Sequence, residues 1–468
     1  MPTQTTASLY STARLRFRKT LRRTDVVVVG AGSAGCVTAR RCAEMGLKTL
    51  LLDKKPRLEV GQKVCGDEIS KSHFEATGIE FPKEQEISGA IAGADVYPPS
   101  MSNELKVRGW AEFDGWTVNR LSFGQRLLGE AIDAGVAFQA NSRVSNPILR
   151  NDAVIGVEYK EAGEKKEVYA KLIIDASGFA GTIRNKLDHP LVEKTIDKED
   201  VALCYREIVK LKMPLAEPEV ARVLLGGKVA PGGYAWIFPK GMQEVNAGVG
   251  ITGGSGRGSP KSYFLEFKNE YPLLIRSQVI DAAGGAVPVR RPLKSLVADG
   301  VAFVGDAAAQ VNPIHGGGIG AGMRAGIILG EVAKRAIARK DLSARGLWHY
   351  NIRYLTDFGK RLASLEIFRR LLQAVADEDM DFGFEKRILE AGDLMAANRG
   401  EGLSLGPFDK LRRFRRGLSR FSLLRDLQKA SSLMKKISRA YEAYPLDPSA
   451  LENWNESVLE IIKSAEFG

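Results

Sequence analysis

Residues 24–35 read TDVVVVGAGSAG, and the chain continues as CVTARRCAEMG to residue 46 and LKTLLLDKK over 47–55. A short β-branched run meets a glycine cluster, a helix-like segment follows, and a second apolar strand ends in an acid. The three pieces predict a βαβ unit of nucleotide-binding size. Within it Gly30, Gly32 and Gly35 have the G-x-G-x-x-G spacing. The first glycine allows a tight turn, the second lets backbone approach a pyrophosphate, and the third lets the helix pack closely with its N-terminal amides facing the phosphates. Asp53, at the end of the second strand, is placed to accept hydrogen bonds from an adenosine ribose. Gly248, Gly250 and Gly253 repeat the spacing with no following helix and no strand-end acid, so that stretch reads as a glycine-rich strand and turn.

A second constellation, GDAAAQVNPIHGGGIGAG, spans residues 305–322. A strand ends at Gly305-Asp306, a proline and three glycines follow, and GIGAGMRAGIILGEVAKRAIARK is a strong helix. Asp306 at a strand end is able to hold a polyol through its hydroxyls. The glycine run, including Gly317 and Gly318, brings the positive end of the helix that starts near Ile319 against an anion. Reduced flavin carries negative charge near N1, which such a terminus favours. One motif at each end of the α/β unit distinguishes flavin from nicotinamide, and the predicted cofactor is FAD.

The 468 residues, 44% hydrophobic, suffice for two or three packed units. Four cysteines (Cys36, Cys42, Cys65, Cys204) form no CxxC pair or Cys/His cluster, so no metal site or disulfide framework is expected, and a reducing cytoplasm fits. No run of 18 uncharged apolar residues is present, which argues against a spanning helix. The net charge of +12 and pI near 9.4 ask for an anionic partner, phospholipid headgroups or nucleic acid. Residues 1–23 are basic and free of acids, and read as a disordered extension with transit-peptide-like composition. The FAD-binding part is expected over 24–86, 114–199 and 291–375, substrate-domain strands over 87–113 and 200–290, and a helical region over 376–468.

The stretch QKVCGDEIS (62–70) and the strand YAWIFPK (234–240) are narrower signals. Together with VVVVGAGSAG, Asp53 and GDAAAQVNPIHGGG they resemble geranylgeranyl reductases, most closely the archaeal enzymes that saturate isoprenoid chains of membrane lipids. The resemblance runs from about residue 24 to the end. It implies an α/β fold of the aromatic-hydroxylase type: a Rossmann-like FAD-binding domain, an inserted antiparallel substrate sheet and a C-terminal helical region. It implies that Ala34 and Asp53 contact the ADP part, Arg120 reaches the pyrophosphate region and the Val144 backbone borders the adenine. Cys65 and Gly66 would lie along the isoalloxazine, while Asp306, Gly318 and Ile319 would hold the ribityl chain and ring. Tyr234, Trp236 and Phe238 alternate on one strand and share a face, which in the family helps line the lipid cavity. The family often has proline before the cysteine, where this chain has Val64.

With disulfide and metal partners missing, Cys65 reads as a flavin-facing thiol. An isolated isoprenoid double bond has no adjacent carbonyl, so hydride delivery must be matched by a proton from Cys65, Tyr234, His315 or an ordered water. His315 has a second possible role, bonding backbone within the glycine turn. No second dinucleotide fingerprint is present, so the electrons are expected from an external donor: a ferredoxin, a reduced deazaflavin or NAD(P)H. The competing enzymatic reading is a flavin monooxygenase of an aromatic or quinone-like molecule.

Residues 410–439 hold eleven Lys or Arg and one acid, Asp426. Leu411, Phe414, Leu418, Phe421 and Leu424 recur at helical spacing beside the basic face, predicting either packing on the protein's own surface or peripheral docking on an anionic membrane. Stacking aromatics are scarce in the run, so no nucleic-acid partner is expected.

Overall fold

Strand Thr24–Val29 lies between two parallel neighbours, Thr49–Leu52 and Glu164–Asp175. Val301–Phe303 extends this parallel sheet on one side and Ala137–Gln139 on the other. Val26 to Val29 are buried, as expected of a parallel strand covered on both faces. The computed structural model describes residues 24–254, 258–388, 390–399 and 418–468. The basic segment 1–23 and residues 400–417 of the basic tail lie outside the described residues.

Helix Ser33–Glu44 follows the first strand, and helix Ile319–Arg339 packs along it. Gly322, Gly326 and Gly330 make that approach possible. A Cβ on them would stand 2.9 Å from the Ala34 Cβ, 2.6 Å from the Thr38 Oγ1 and 2.6 Å from the Arg41 Cγ. Two motifs nearly three hundred residues apart thus place their helix N-termini side by side.

A seven-stranded sheet runs in the order 278–288, 201–210, 244–252, 234–239, 220–224, 93–97, 105–108. All its pairs are antiparallel except Val220–Leu224 with Gly93–Tyr97. On one face Ala235, Ile237, Ala247, Val249 and Ile251 form a separate core with Phe264 and Phe267 of helix Pro260–Glu270. The alternation of side chains then turns Tyr234, Trp236 and Phe238 to the other face.

The segment 87–113 differs from its expected assignment. Only Gly93–Tyr97 and Leu105–Arg108 enter the large sheet; Ile87–Ile91 pairs with Gly115–Val118, which pairs in turn with Glu68–Ser70. This small three-stranded sheet is bound to the large one where the Thr117 hydroxyl donates to the Pro239 carbonyl (2.6 Å).

The basic tail differs as well. Helix Phe421–Glu442 buries Leu423, Leu427, Ala430, Met434, Ile437 and Tyr441 and packs against helix Lys360–Ala374. Of the expected stripe, Phe421 is 60% exposed and Leu424 is partly buried against the core. Neighbouring leucines at 423 and 424 permit two stripes, and packing selects the one continued by Leu427 and Ala430. Leu411 and Phe414 lie outside the described residues. Among the described residues, no helix is long and apolar enough to cross a membrane, and no group of three His, Cys, Asp or Glu is arranged to hold a metal ion.

Candidate active site

The first glycine turn is tight. Gly30 has φ +105°, where only glycine is relaxed, and a Cβ on Gly35 would overlap the Gly30 carbonyl. Nothing lies within 4 Å of the Cβ position of Gly32, and no side chain caps the following helix, so its amides stay free. Asp53 accepts from the Ala31 amide (2.6 Å) and the Lys55 amide (2.8 Å), which fixes its carboxylate against the turn. The Ser142 amide donates to the Asp53 carbonyl (2.7 Å), bringing the strand that carries Val144 to the same corner. Arg120 heads helix Arg120–Asp133 and is buried. Its Nη2 donates to Ser33 Oγ (3.2 Å), yet its Nε and Nη1 are buried with no partner. A buried guanidinium with unanswered donors beside a helix N-terminus suits a diphosphate. These residues fit the ADP half of FAD.

At the second turn Gly305 has φ +69° and Asp306 is buried, its Oδ2 paired with Lys63 Nζ at 2.7 Å. Helix Ile319–Arg339 starts beside it, with Gly318 as an N-cap that offers no side chain. The Gly317 amide donates to His315 Nδ1 (3.1 Å), and the Tyr234 hydroxyl donates to the His315 carbonyl (2.7 Å). The structure therefore ties the glycine turn to the aromatic strand. Burial, then Arg361 and His73, lower the His315 pKa to about 4, so its imidazole is neutral at physiological pH.

Asn246 organises the thiol loop. Its side-chain amide donates to the Cys65 carbonyl (2.7 Å) and to Asp67 Oδ2 (3.0 Å), while its oxygen accepts from Trp236 Nε1 (3.0 Å). Lys240 Nζ adds a 3.0 Å ion pair to Asp67, which stands at φ +67°. A Cβ on Gly66 would come within 2.8 Å of the Phe238 ring, so the loop lies flat against the aromatic strand. Tyr234, Trp236 and Phe238 follow at centroid spacings of 5.9 and 6.3 Å.

Register shows what lies beside them. Tyr234 is opposite Gly250, Gly250 opposite Cys204, and Cys204 opposite Gly285; Trp236 is opposite Gly248. A Cβ on Gly248 would overlap the Trp236 ring. The glycine spacing that mimics a nucleotide fingerprint is thus a floor of small residues beneath the aromatics. Tyr234, Cys65 and Cys204 are half-buried and His315 is exposed, although protein surrounds Tyr234, Cys204 and His315 on nearly all sides. They line an open hollow. Burial, then Cys65, pushes the Cys204 thiol up to about 12, and burial, then Cys204, Cys65 and Glu68, pushes the Tyr234 phenol well above its ordinary range.

Four residues here had escaped the sequence reading: Cys204, Asn246, Glu68 and His73. Asn246 sits within VNAGVG on the same face as the flat glycines, a signal available only once the register is known. Glu68 has a buried Oε1 with no partner, and burial pushes its pKa up to about 7. His73, on the short helix Lys71–Glu75, packs its ring where a Cβ of Gly320 would fall, and burial, then Arg361 and Arg324, lower its pKa to about 4.

Two helix N-termini packed side by side behind glycine turns, with the large sheet tied to the second turn through Tyr234, define an FAD-dependent oxidoreductase. Residues 25–183 match the FAD dependent oxidoreductase family, and residues 200–287, the heart of the large sheet, match the geranylgeranyl reductase catalytic domain. The digeranylgeranylglycerophospholipid reductase of Sulfolobus acidocaldarius is 36% identical over 94% of this chain and 97% of its own length. The digeranylgeranylglycerophospholipid reductase 1 of Methanococcoides burtonii is 32% identical over 76% of this chain and 86% of its own. A crystal structure of a geranylgeranyl bacteriochlorophyll reductase-like protein from Thermoplasma acidophilum superposes with a TM-score of 0.73 at 25% identity, covering 87% of this chain and 99% of that one. The chain belongs to the geranylgeranyl reductase family.

Proposed function

We propose that this chain hydrogenates the carbon–carbon double bonds of geranylgeranyl chains on archaeal-type di-geranylgeranyl glycerophospholipids, beside Cys65, Cys204, Tyr234 and His315. Bound and reduced, FAD supplies hydride to a bond that no neighbouring carbonyl activates. In this reading Arg120 and the turn through Gly30, Gly32, Ala34 and Gly35 hold the pyrophosphate. Asp53 takes the adenosine ribose and the Val144 backbone borders the adenine. Asp306, parting from Lys63, takes the ribityl chain with Gly305, Gly317, Gly318 and Ile319. Cys65 and Gly66 lie along the ring, and Tyr234, Trp236 and Phe238 offer a thin lipid chain an apolar wall. The observation that carries the reading is the aromatic row pinned by Asn246 to the Cys65–Asp67 loop, in a chain similar to a lipid reductase along nearly its whole length.

Electrons come from an external donor: a ferredoxin, a reduced deazaflavin or NAD(P)H. Because the substrate is itself a bilayer lipid, the excess basic charge and exposed Phe421 support peripheral docking on an anionic surface. The test is anaerobic incubation of the dithionite-reduced holoprotein with a geranylgeranylated phospholipid, followed by mass spectrometry. Products heavier by successive pairs of hydrogens are expected. Unchanged lipid beside a readily reduced flavin sinks the reading, and indifference to anionic vesicles at moderate salt sinks the docking.

A further inference from the structure

Hydride addition to an isolated double bond leaves one carbon short of a proton, and the groups around the hollow differ sharply in their ability to give one. Tyr234 already donates its hydroxyl to the His315 carbonyl, and its phenol is held well above the ordinary range. The His315 imidazole is neutral, with Nδ1 engaged by the Gly317 amide. Cys204 is pushed up to about 12. Asp67 is held by Lys240 and Asn246.

Glu68 is different. It lies two residues beyond Gly66, on a strand where it stands opposite Thr117. Opposed residues share a face, and the Thr117 hydroxyl reaches Pro239 at the end of the aromatic strand. Glu68 therefore faces the junction of the small sheet with that strand, near enough to Tyr234 for its charge to raise the phenol. One carboxyl oxygen is buried and unpartnered. A carboxylate so placed is costly, and the protonated acid is the form the site favours.

Resting on the reductase reading above, we propose that Glu68 is the general acid that protonates the isoprenoid double bond. The carboxyl O–H bond breaks as a C–H bond forms at the less substituted carbon, and hydride reaches the other carbon as the π bond is consumed. The two electrons are those of the reduced cofactor, and the carboxylate recovers its proton from solvent. The anion left on Glu68 opposes the positive charge developing on the substituted carbon.

Around Glu68 the ionisable groups are Cys65 and Asp67 of the loop, Tyr234, Cys204 and Lys240 of the large sheet, Glu112 paired with Arg399, the pair Lys71–Asp114 and His73. Of these, Tyr234 and Cys204 are pushed up and His73 is pushed down, each away from neutrality. Wild-type oxidation of the reduced flavin by lipid should therefore slow as pH rises through about 7.

Glu68→Gln keeps the shape and removes the acid. It should bind FAD and accept dithionite electrons normally, slow lipid-dependent flavin oxidation about 100-fold or more, and lose the alkaline limb. Glu68→Asp should retain a slower reaction with a limb of its own. A readout independent of turnover comes from linkage. The raised pKa makes stability from the protonated form fully present below about 4.5 and lost as pH rises through about 7. Glu68→Gln should therefore gain thermal stability over wild type between pH 5 and 8. Wild-type rate in the Gln variant, or a lost rate with the limb retained, overturns the assignment, as does a melting difference that ignores pH. If wild-type reduced flavin fails to react with lipid at all, the reductase reading falls instead, and the melting comparison still tests the protonated state.

Discussion

Arg120 is a charge prepared for a partner. Two of its nitrogens are buried without acceptors while the third touches Ser33, a costly arrangement that a bound anion would relieve. Replacing it with methionine should have opposite effects on the two states of the protein. The apoprotein should become no less stable, because an uncompensated donor leaves the interior. FAD should bind roughly 10- to 100-fold more weakly, the equivalent of a charge-assisted hydrogen bond of about 1.5–3 kcal/mol. Equilibrium titration of flavin fluorescence measures the second effect and thermal melting the first; unchanged affinity would show that Arg120 does not face the diphosphate. Arg120 entered the sequence reading only through family resemblance, because nothing local to NRLSFGQ marks an arginine as buried. Gly30, Gly35 and Asp53 were legible directly, since the turn they make is closed within one βαβ unit. Glu68 and His73 were not. Burial perturbs both, and for His73 so do Arg361 and Arg324, about 250 to 290 residues further along the chain, which no local pattern reports.

At the scale of the element, the aromatic strand and its glycine-floored neighbour form one device. Gly248 exists for the Trp236 ring: a Cβ there would overlap it. Gly248→Ala should cost about 1–3 kcal/mol by overpacking and push the indole off Asn246, loosening the Cys65 loop that the same amide holds. Gly129 in helix Arg120–Asp133, with nothing within 4 Å of its Cβ position, is the control; alanine there should be neutral or stabilise by about 0.4–1 kcal/mol. Urea unfolding followed by tryptophan fluorescence separates the two, and equal effects at both positions would refute the packing role. The sequence set the 248–253 glycines apart from a nucleotide loop because no helix opens directly at them and no strand-end acid follows. It was silent on their purpose, which is a matter of cross-strand register. The same limit explains the tail: Leu423 and Leu424 are equivalent in sequence, and only helix Lys360–Ala374 decides which is inside. It also explains strand Ile87–Ile91, whose short polar-apolar pattern suits either sheet.

Across the whole molecule, the run of five strands from 201 to 288 starts just after Asp200 and ends just before Arg290–Arg291, and helix Lys360–Ala374 clamps both crossings. Arg369 pairs with Asp200 (2.6 Å), Arg291 with Glu366 (3.0 Å), and Arg290 with Glu193 (2.9 Å). Glu366, fully buried, also accepts from the Arg291 amide (2.8 Å). Burial alone would raise its pKa, but Arg291, Arg369 and Arg370 hold it well below the carboxylate range. Its contribution is therefore fully present above about pH 4.5, the ordinary glutamate value, and is lost as pH falls from there toward the depressed folded value. Glu366→Gln leaves the buried Arg291 guanidinium, and the half-buried Arg370 beside it, short of counter-charge and should cost about 3–5 kcal/mol. Salt should change this little, because the pair is shielded from the ionic atmosphere. By contrast, Asp357→Asn at the more exposed Arg324 pair should cost no more than about 1 kcal/mol. The clamp ties the sheet that bears the aromatic strand to the unit that bears the glycine turns, so Glu366→Gln should also weaken FAD retention without altering any residue near the cleft. Urea denaturation at pH 7 and pH 4, with and without FAD, checks both statements. A loss below about 1 kcal/mol at pH 7 would mean that apolar packing alone fixes the two halves of the site in register.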